Sequence, residues 1–152
     1  VEWDTIFFFL GLFIVVAGLE HTGLLALAAK AVVQFTDNNM EKTALIILWV
    51  STVISAFINN IPFVATLIPI IQSMGDTFGH GAALNPLWWS LIMGACLGGN
   101  GTLIGASANV MVASFADRAG TKISFMKYLA YGFPLTILTI IICHIYLVLR
   151  YF

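Results

Sequence analysis

Charge is scarce in this chain. Of 152 residues only six are Lys or Arg and seven Asp or Glu, 9% in all. No charged side chain falls within residues 43–75, and neither Asp, Glu, Lys, Arg nor His lies between His80 and Asp117. The near-neutral balance, a net charge of −1, excludes a polybasic surface and with it a nucleic-acid partner. Cysteine is nearly absent too. Cys96 and Cys143 stand alone in apolar runs without CxxC spacing, which excludes a disulfide framework and a zinc site. Of the three histidines only His144 lies deep in an apolar run, so paired haem ligands are missing. A lone histidine there serves best as a helix-to-helix hydrogen bonder. Glu20-His21 closes an apolar run and reads as solvated. No phosphate loop, metal-ligand spacing or carboxylate dyad occurs, and Gly105-Ala106-Ser107-Ala108 is only half of an intramembrane serine protease motif. No cofactor and no enzyme activity are expected. There is no signal-peptide pattern, and the opening on Val1 leads us to expect a fragment of a longer protein.

What remains is apolar. Hydrophobic residues make up 61% of the sequence and the mean hydropathy is +1.01, values that no soluble core of this size requires. The composition predicts an all-α integral membrane protein. Residues 6–19 form a first uncharged block, whose length alone fits a span or a buried helix alike. Residues 22–36 follow as an amphipathic helix near the interface, with Lys30 reaching to water, and Asp37-Asn38-Asn39 is a turn. The second block, residues 43–75, is too long for one ordinary span and is interrupted at Asn59-Asn60-Ile61-Pro62. Pro62 lacks a backbone donor and biases Ile61 away from helix. The resulting arms, 43–58 and 63–74, would measure roughly 24 and 18 Å against a hydrocarbon core of about 30 Å. Arms that short suit a re-entrant hairpin over residues 43–74. The alternative is one long helix kinked at Pro62.

The glycine- and proline-bearing stretch 76–86 reads as an exposed connection, after which Trp88-Trp89 are interfacial anchors. A last span is expected over residues 128–149, bracketed by Lys127 and Arg150 and by tyrosines near its ends. With a re-entrant hairpin, Lys30, Lys42 and Arg150 share one face and Arg118, Lys122 and Lys127 the other, so the positive-inside count is tied.

Residues 97–112, LGGNGTLIGASANVMV, are the most informative. A lipid-facing helix has no use for glycines and short polar residues at its centre. Backbone freed at membrane depth must be satisfied by protein or line a polar cavity, and broken helices of this kind build the binding sites of secondary transporters. We therefore read residues 87–116 as a broken helix with arms 87–97 and 103–116. Packing of small residues against neighbouring helices is the plainer explanation, but packing does not call for Asn100, Thr102, Ser107 and Asn109 together. At the hairpin tip, Asn59 and Asn60 offer amide groups beside the ends of two helices. Helix N-termini favour anions and C-termini cations. Tip and break meeting would make one polar pocket.

The segments SAFINNIPFVATLIPI (55–70) and GACLGGNGTLIGASANVMV (94–112) resemble the signature regions of the second half of the ion transporter superfamily. That superfamily includes citrate-type permeases, arsenite exporters, sodium/proton antiporters and pink-eye-dilution-type proteins. Residues 4–25 and 124–138 fit the same family, so the resemblance covers nearly the whole chain. It implies one half of an inverted-repeat, elevator-type transporter: span, interfacial helix, re-entrant hairpin, broken helix and final span. It further implies that residues 1–152 form a single domain, the C-terminal repeat, which works with a missing N-terminal repeat in a homodimer. By carry-over Ser55 and Asn60, with backbone oxygens near Thr102, would hold a coupling cation, Na+ or H+, and Asn109 is the asparagine of the broken-helix motif. Ile61 lacks the hydroxyl of the dicarboxylate motif, and Asn59 stands where antiporter-like members have Asp, which removes a protonatable tip carboxylate.

Together these readings predict a multi-pass protein of the cell (inner or plasma) membrane that transports a small ion, inorganic or carboxylate, by alternating access. The ion-binding residues expected are Ser55, Asn59, Asn60, Gly99, Asn100, Gly101, Thr102, Ser107 and Asn109, in contact with lipid and ion but with no nucleic acid. The rival readings are a non-transporting membrane subunit whose broken helix serves packing, and an ion channel. A channel would show a continuous polar stripe along one helix, whereas these residues form two compact clusters.

Overall fold

The computed structural model describes residues 3–57 and 60–152. Helices α1 (Trp3–His21), α2 (Leu24–Phe35), α3 (Met40–Ser55) and α4 (Asn60–Ser73) lead into a short α5 (Gly75–Phe78). They are followed by α6 (Asn85–Gly98), α7 (Ser107–Arg118) and α8 (Phe125–Tyr151), and no strand occurs among the described residues. The all-helical class is as expected. Among the described residues one helix, α8 with 27 residues, is long and apolar enough by itself to cross a membrane.

The turn after α2 shows why the chain changes direction there. Asp37 and Asn38 take left-handed backbone with φ of 55° and 54°, a conformation that short polar side chains tolerate best. Asn39 caps α3 by accepting from Lys42 N at 2.9 Å, and Lys42 Nζ reaches Asp37 at 3.0 Å. Beneath this exposed pair the buried hydroxyls of Thr36 and Thr43 meet at 2.6 Å. Lys30 is exposed on α2, while Ala29 and Val33 of the same helix are buried.

The chain doubles back between α3 and α4. Ala44 and Ile47 from the first half of α3 share one apolar cluster with Ile71 near the end of α4 and Met74 just after it, joined by Leu84, Leu87 and Leu91. The break between the two helices lies earlier than Pro62 suggested, with α3 ending at Ser55 and α4 running from Asn60. Pro62 is in the first turn of α4, where a missing N–H costs nothing because those N–H groups have no intrahelical partner. Residues 76–86 are the largely exposed connection expected, ordered by short helical turns. They form α5 and a 3-10 turn, Gly81–Leu84, and bury Leu84 and Pro86 beneath the cluster.

The most extensive helix pair is α3 with α6. Glycine makes it possible: a Cβ at Gly94 would lie 2.5 Å from Leu48 O, and one at Gly98 would lie 2.5 Å from Thr52 O. Small residues that bring backbones together are how helices associate where the surroundings are as apolar as the side chains. On the other side of α3, Leu48 packs with Ile140 and Leu147 of α8. There Trp49 Nε1 donates to His144 Nδ1 at 3.2 Å, so His144 is the helix-to-helix hydrogen bonder expected. Between α3 and α4 the packing is loose. A cavity of about 160 Å³ separates them, floored by Ala28 and Val32 of α2 and walled by Val50, Ser51, Leu67 and Ile70. The buried Ser51 Oγ has no hydrogen-bond partner among the described residues.

Lys42, the end of α4 and the end of α8 with Arg150 thus lie toward one end of the bundle. Thr136 of α8 is level with the interruption after α6, where Gly101 abuts it. The chain leaves that interruption through α7 to Arg118. Ser124 then caps α8, accepting from Lys127 N at 3.3 Å, and starts the last helix three residues before the expected 128.

Candidate functional site

The interruption after α6 is longer than the sequence suggested. Gly99–Gly101 form a single 3-10 turn, Thr102 is extended (φ −133°, ψ 160°), and α7 starts only at Ser107 after an extended Ala106. Residues 103–106 are therefore not the start of the second arm. The reason is crowding: a Cβ at Gly105 would lie 2.5 Å from Gly99 O and 2.8 Å from Ala56 O. The chain folds tightly over the end of α3 here instead of continuing as helix.

Tip and break meet through polar groups. Thr102, fully buried, donates its hydroxyl to Ala56 O at the end of α3, and its Oγ1 accepts from Gly105 N at 3.0 Å. Asn109 on α7 reaches back: its Nδ2 donates to Gly99 O and to Thr102 O, each at 3.1 Å. Ser55, also fully buried, donates to Ala95 O of α6 at 2.5 Å and stands against the Asn60 Oδ1 of α4. A hydroxyl has one proton, so both of its contacts are met when the Asn60 amide is turned to offer its NH2 to Ser55. The Asn60 amide lies beside Gly99, about 3.2 Å from where a Cβ would be.

The junction therefore gathers Ser55, Asn60, Gly99, Thr102 and Asn109 of the residues predicted. Gly101 is buried beside it, 3.5 Å from Ala56 Cβ measured at its would-be Cβ. Two others are not brought in. Asn100 is exposed and lines a pocket on the α8 side, and Ser107 is exposed in the first turn of α7. Asn59 lies outside the described residues. Sequence reasoning missed Ala56, Ala95 and Gly105. The first two act through backbone carbonyls, which no residue type advertises, whereas Gly105 was visible as a fourth glycine in the motif.

Electrostatically the junction is neutral. Its oxygens belong to hydroxyls, amides and carbonyls. The C-termini of α3 and α6 and the N-termini of α4 and α7 converge on it, each carrying a partial charge of roughly half a unit. Such a site can coordinate a small cation through oxygen or an anion through N–H groups. No group of three or more metal-ligating His, Cys, Asp or Glu occurs among the described residues.

The citrate transporter family matches this chain over residues 1–94. The chain belongs to that family. Uncharacterized transporters of Mycobacterium bovis and Mycobacterium tuberculosis are each 46% identical to it over 152 residues, 100% of this chain and 35% of the relative. The P protein of Homo sapiens is 38% identical over 158 residues, 99% of this chain and 19% of the relative. The chain thus spans about a third of the length of its mycobacterial relatives. No solved structure matches it. The names of this family and of the mycobacterial relatives are those of transporters and not of enzymes, in line with the motifs at residues 55–70 and 94–112.

Proposed function

We propose that this chain is the C-terminal half of a secondary active transporter of the cell (inner or plasma) membrane. It carries a small ion, inorganic or carboxylate, by alternating access. The observation that carries this reading is the meeting of two helix interruptions, closed by Ser55, Asn60, Thr102 and Asn109. Residues 43–74 serve as a re-entrant hairpin and residues 87–116 as a broken helix, the pair that one inverted repeat contributes to an elevator-type site. The missing N-terminal repeat supplies the other pair, and the complete protein works as a homodimer. The family's name agrees with a carboxylate cargo. Ser55, Asn60 and Thr102 hold the coupling cation with the carbonyls of Ala56 and Ala95. Na+ suits this set better than H+, because none of these groups titrates near neutral pH.

The test is uptake by the full-length protein in proteoliposomes. Asn60→Leu abolishes cation-dependent uptake while expression and detergent stability stay near wild type. Unchanged uptake overturns the site assignment, and loss of folding along with uptake returns Asn60 to a packing role.

A further inference from the structure

A second polar cluster lies behind the break, on the side away from the hairpin tip. Tyr128, Gly132, Thr136, Thr139 and Cys143 are spaced by four, four, three and four residues, which sets them on one face of α8. Between this face and the break is a pocket of about 190 Å³ bounded by Asn100, Tyr128, Thr136 and Thr139. Through Tyr128, Gly132 and Leu135 it continues into a wider crevice that ends at Ile123 and Lys127. At its inner end it stops, because Ile140 and Leu147 are packed on Leu48.

Thr136 is 4% exposed, yet its hydroxyl has no hydrogen-bond partner among the described residues. Elsewhere in the chain the hydroxyls of Thr36, Thr43, Thr52, Ser90 and Thr139 are spent on a carbonyl three or four residues back. The Thr136 side chain is buried, but its hydroxyl opens onto this pocket with its proton unspent, where water or a ligand can take it. At this volume the pocket is large enough to admit water. Its lining is mixed: Leu97 and Leu135 are apolar, while the Thr136 and Tyr128 hydroxyls and the Asn100 amide present donors. The nearest full charge is the exposed Lys127 at the mouth, and a cationic mouth concentrates anions.

We propose that this crevice is a one-ended aqueous pathway that admits small anions, inorganic or carboxylate, from the Lys127 end of α8 to the rear of the break. Its dead end distinguishes it from a channel, which would need the polar stripe to run through. Thiol labelling tests the pathway without reference to flux, so its failure and the failure of the transport reading are separable.

The experiment uses the full-length protein with Cys96 and Cys143 replaced by Ala, reconstituted in liposomes, and two impermeant methanethiosulfonates of similar size, one anionic and one cationic. Thr136→Cys and Thr139→Cys are expected to react, because the thiolate forms only where water reaches it. Ile141→Cys and Ile145→Cys, at neighbouring depth on the opposite side of α8, stay unreactive. Normalised to a free thiol in solution, the anionic reagent reacts several-fold faster at Thr136→Cys, and adding Lys127→Gln brings the two reagents to parity. Silence at both threonine positions, or equal reaction at Ile141→Cys, overturns the aqueous pathway. Parity or a cationic preference with Lys127 intact overturns its selectivity for anions.

Discussion

The two arms of the broken helix are close in length, 14 residues in α6 and 12 in α7, but they are held in opposite ways. Helix α6 buries Pro86, Leu87, Ser90, Leu91, Gly94, Ala95 and Gly98, whereas α7 buries no residue. The first arm has α3 against its backbone and α4 and α8 beside it. The second exposes Val110, Met111, Val112 and Phe115 and is tied to the rest by the two bonds of Asn109. The difference separates two jobs within one motif. One arm positions the break by packing, and the other is aimed by a single amide.

The largest effect should come from spoiling the packed arm. Gly98→Val puts atoms on top of the Thr52 backbone, which has no side chain to turn aside, so the cost exceeds the roughly 1–3 kcal/mol of ordinary overpacking and the fold itself is lost. Loss of monodisperse protein in size-exclusion chromatography is the expected result. A next pair of variants addresses the comparison directly. Leu91→Ala on α6, where Leu91 is 1% exposed, should cost about 2–5 kcal/mol. Met111→Ala on α7, 58% exposed, should stay within about 0.5 kcal/mol. Thermal unfolding of the full-length protein in detergent measures both. An equal loss at Met111 would show α7 buried by parts of the protein outside this chain.

Thr102→Val removes one hydroxyl and leaves Ala56 O and Gly105 N without it, a loss of about 1–3 kcal/mol for buried groups. Cation-dependent uptake should fall further than stability does. Thr102→Ser should restore it, and a serine variant as inactive as valine would remove the hydroxyl from the argument. The smallest effect expected is Trp49→Phe, which gives up the bond to His144. Interhelical bonds of this type average about 0.6 kcal/mol in membrane proteins, so a small fall in melting temperature with transport retained is the expected outcome.

Much of this was legible in the primary structure, and for definite reasons. The glycine cluster at 98–105 announced a break, because glycine at membrane depth is meaningful only where backbone comes close to something. A turn between two short helices was legible in the interruption at Asn59-Asn60-Ile61-Pro62. The exact ends were not: Pro62 looked like a breaker and is an ordinary first-turn proline, and the extended stretch before Ser107 depends on Gly105 lying against Ala56, a contact 49 residues away in sequence by difference of the two numbers. The roles of Ala56 and Ala95 were invisible because carbonyls belong to every residue. The face of α8 bearing Tyr128, Gly132, Thr136 and Thr139 was readable from spacing alone, but threonines that bond their own helix are common in such segments, and only the structure shows that Thr136 does not.

The glycine contacts at Gly94 and Gly98 have a mechanical corollary. Where two backbones touch with no side chain between them, nothing can yield by changing rotamer, so α3 and α6 form a stiff joint that passes on a displacement undiminished. The facing arm α4 is separated from α3 by a half-open pocket of about 160 Å³, and such a gap is slack. Force applied at the tip therefore has a rigid side and a compliant side, and the slack side is where the hairpin can give.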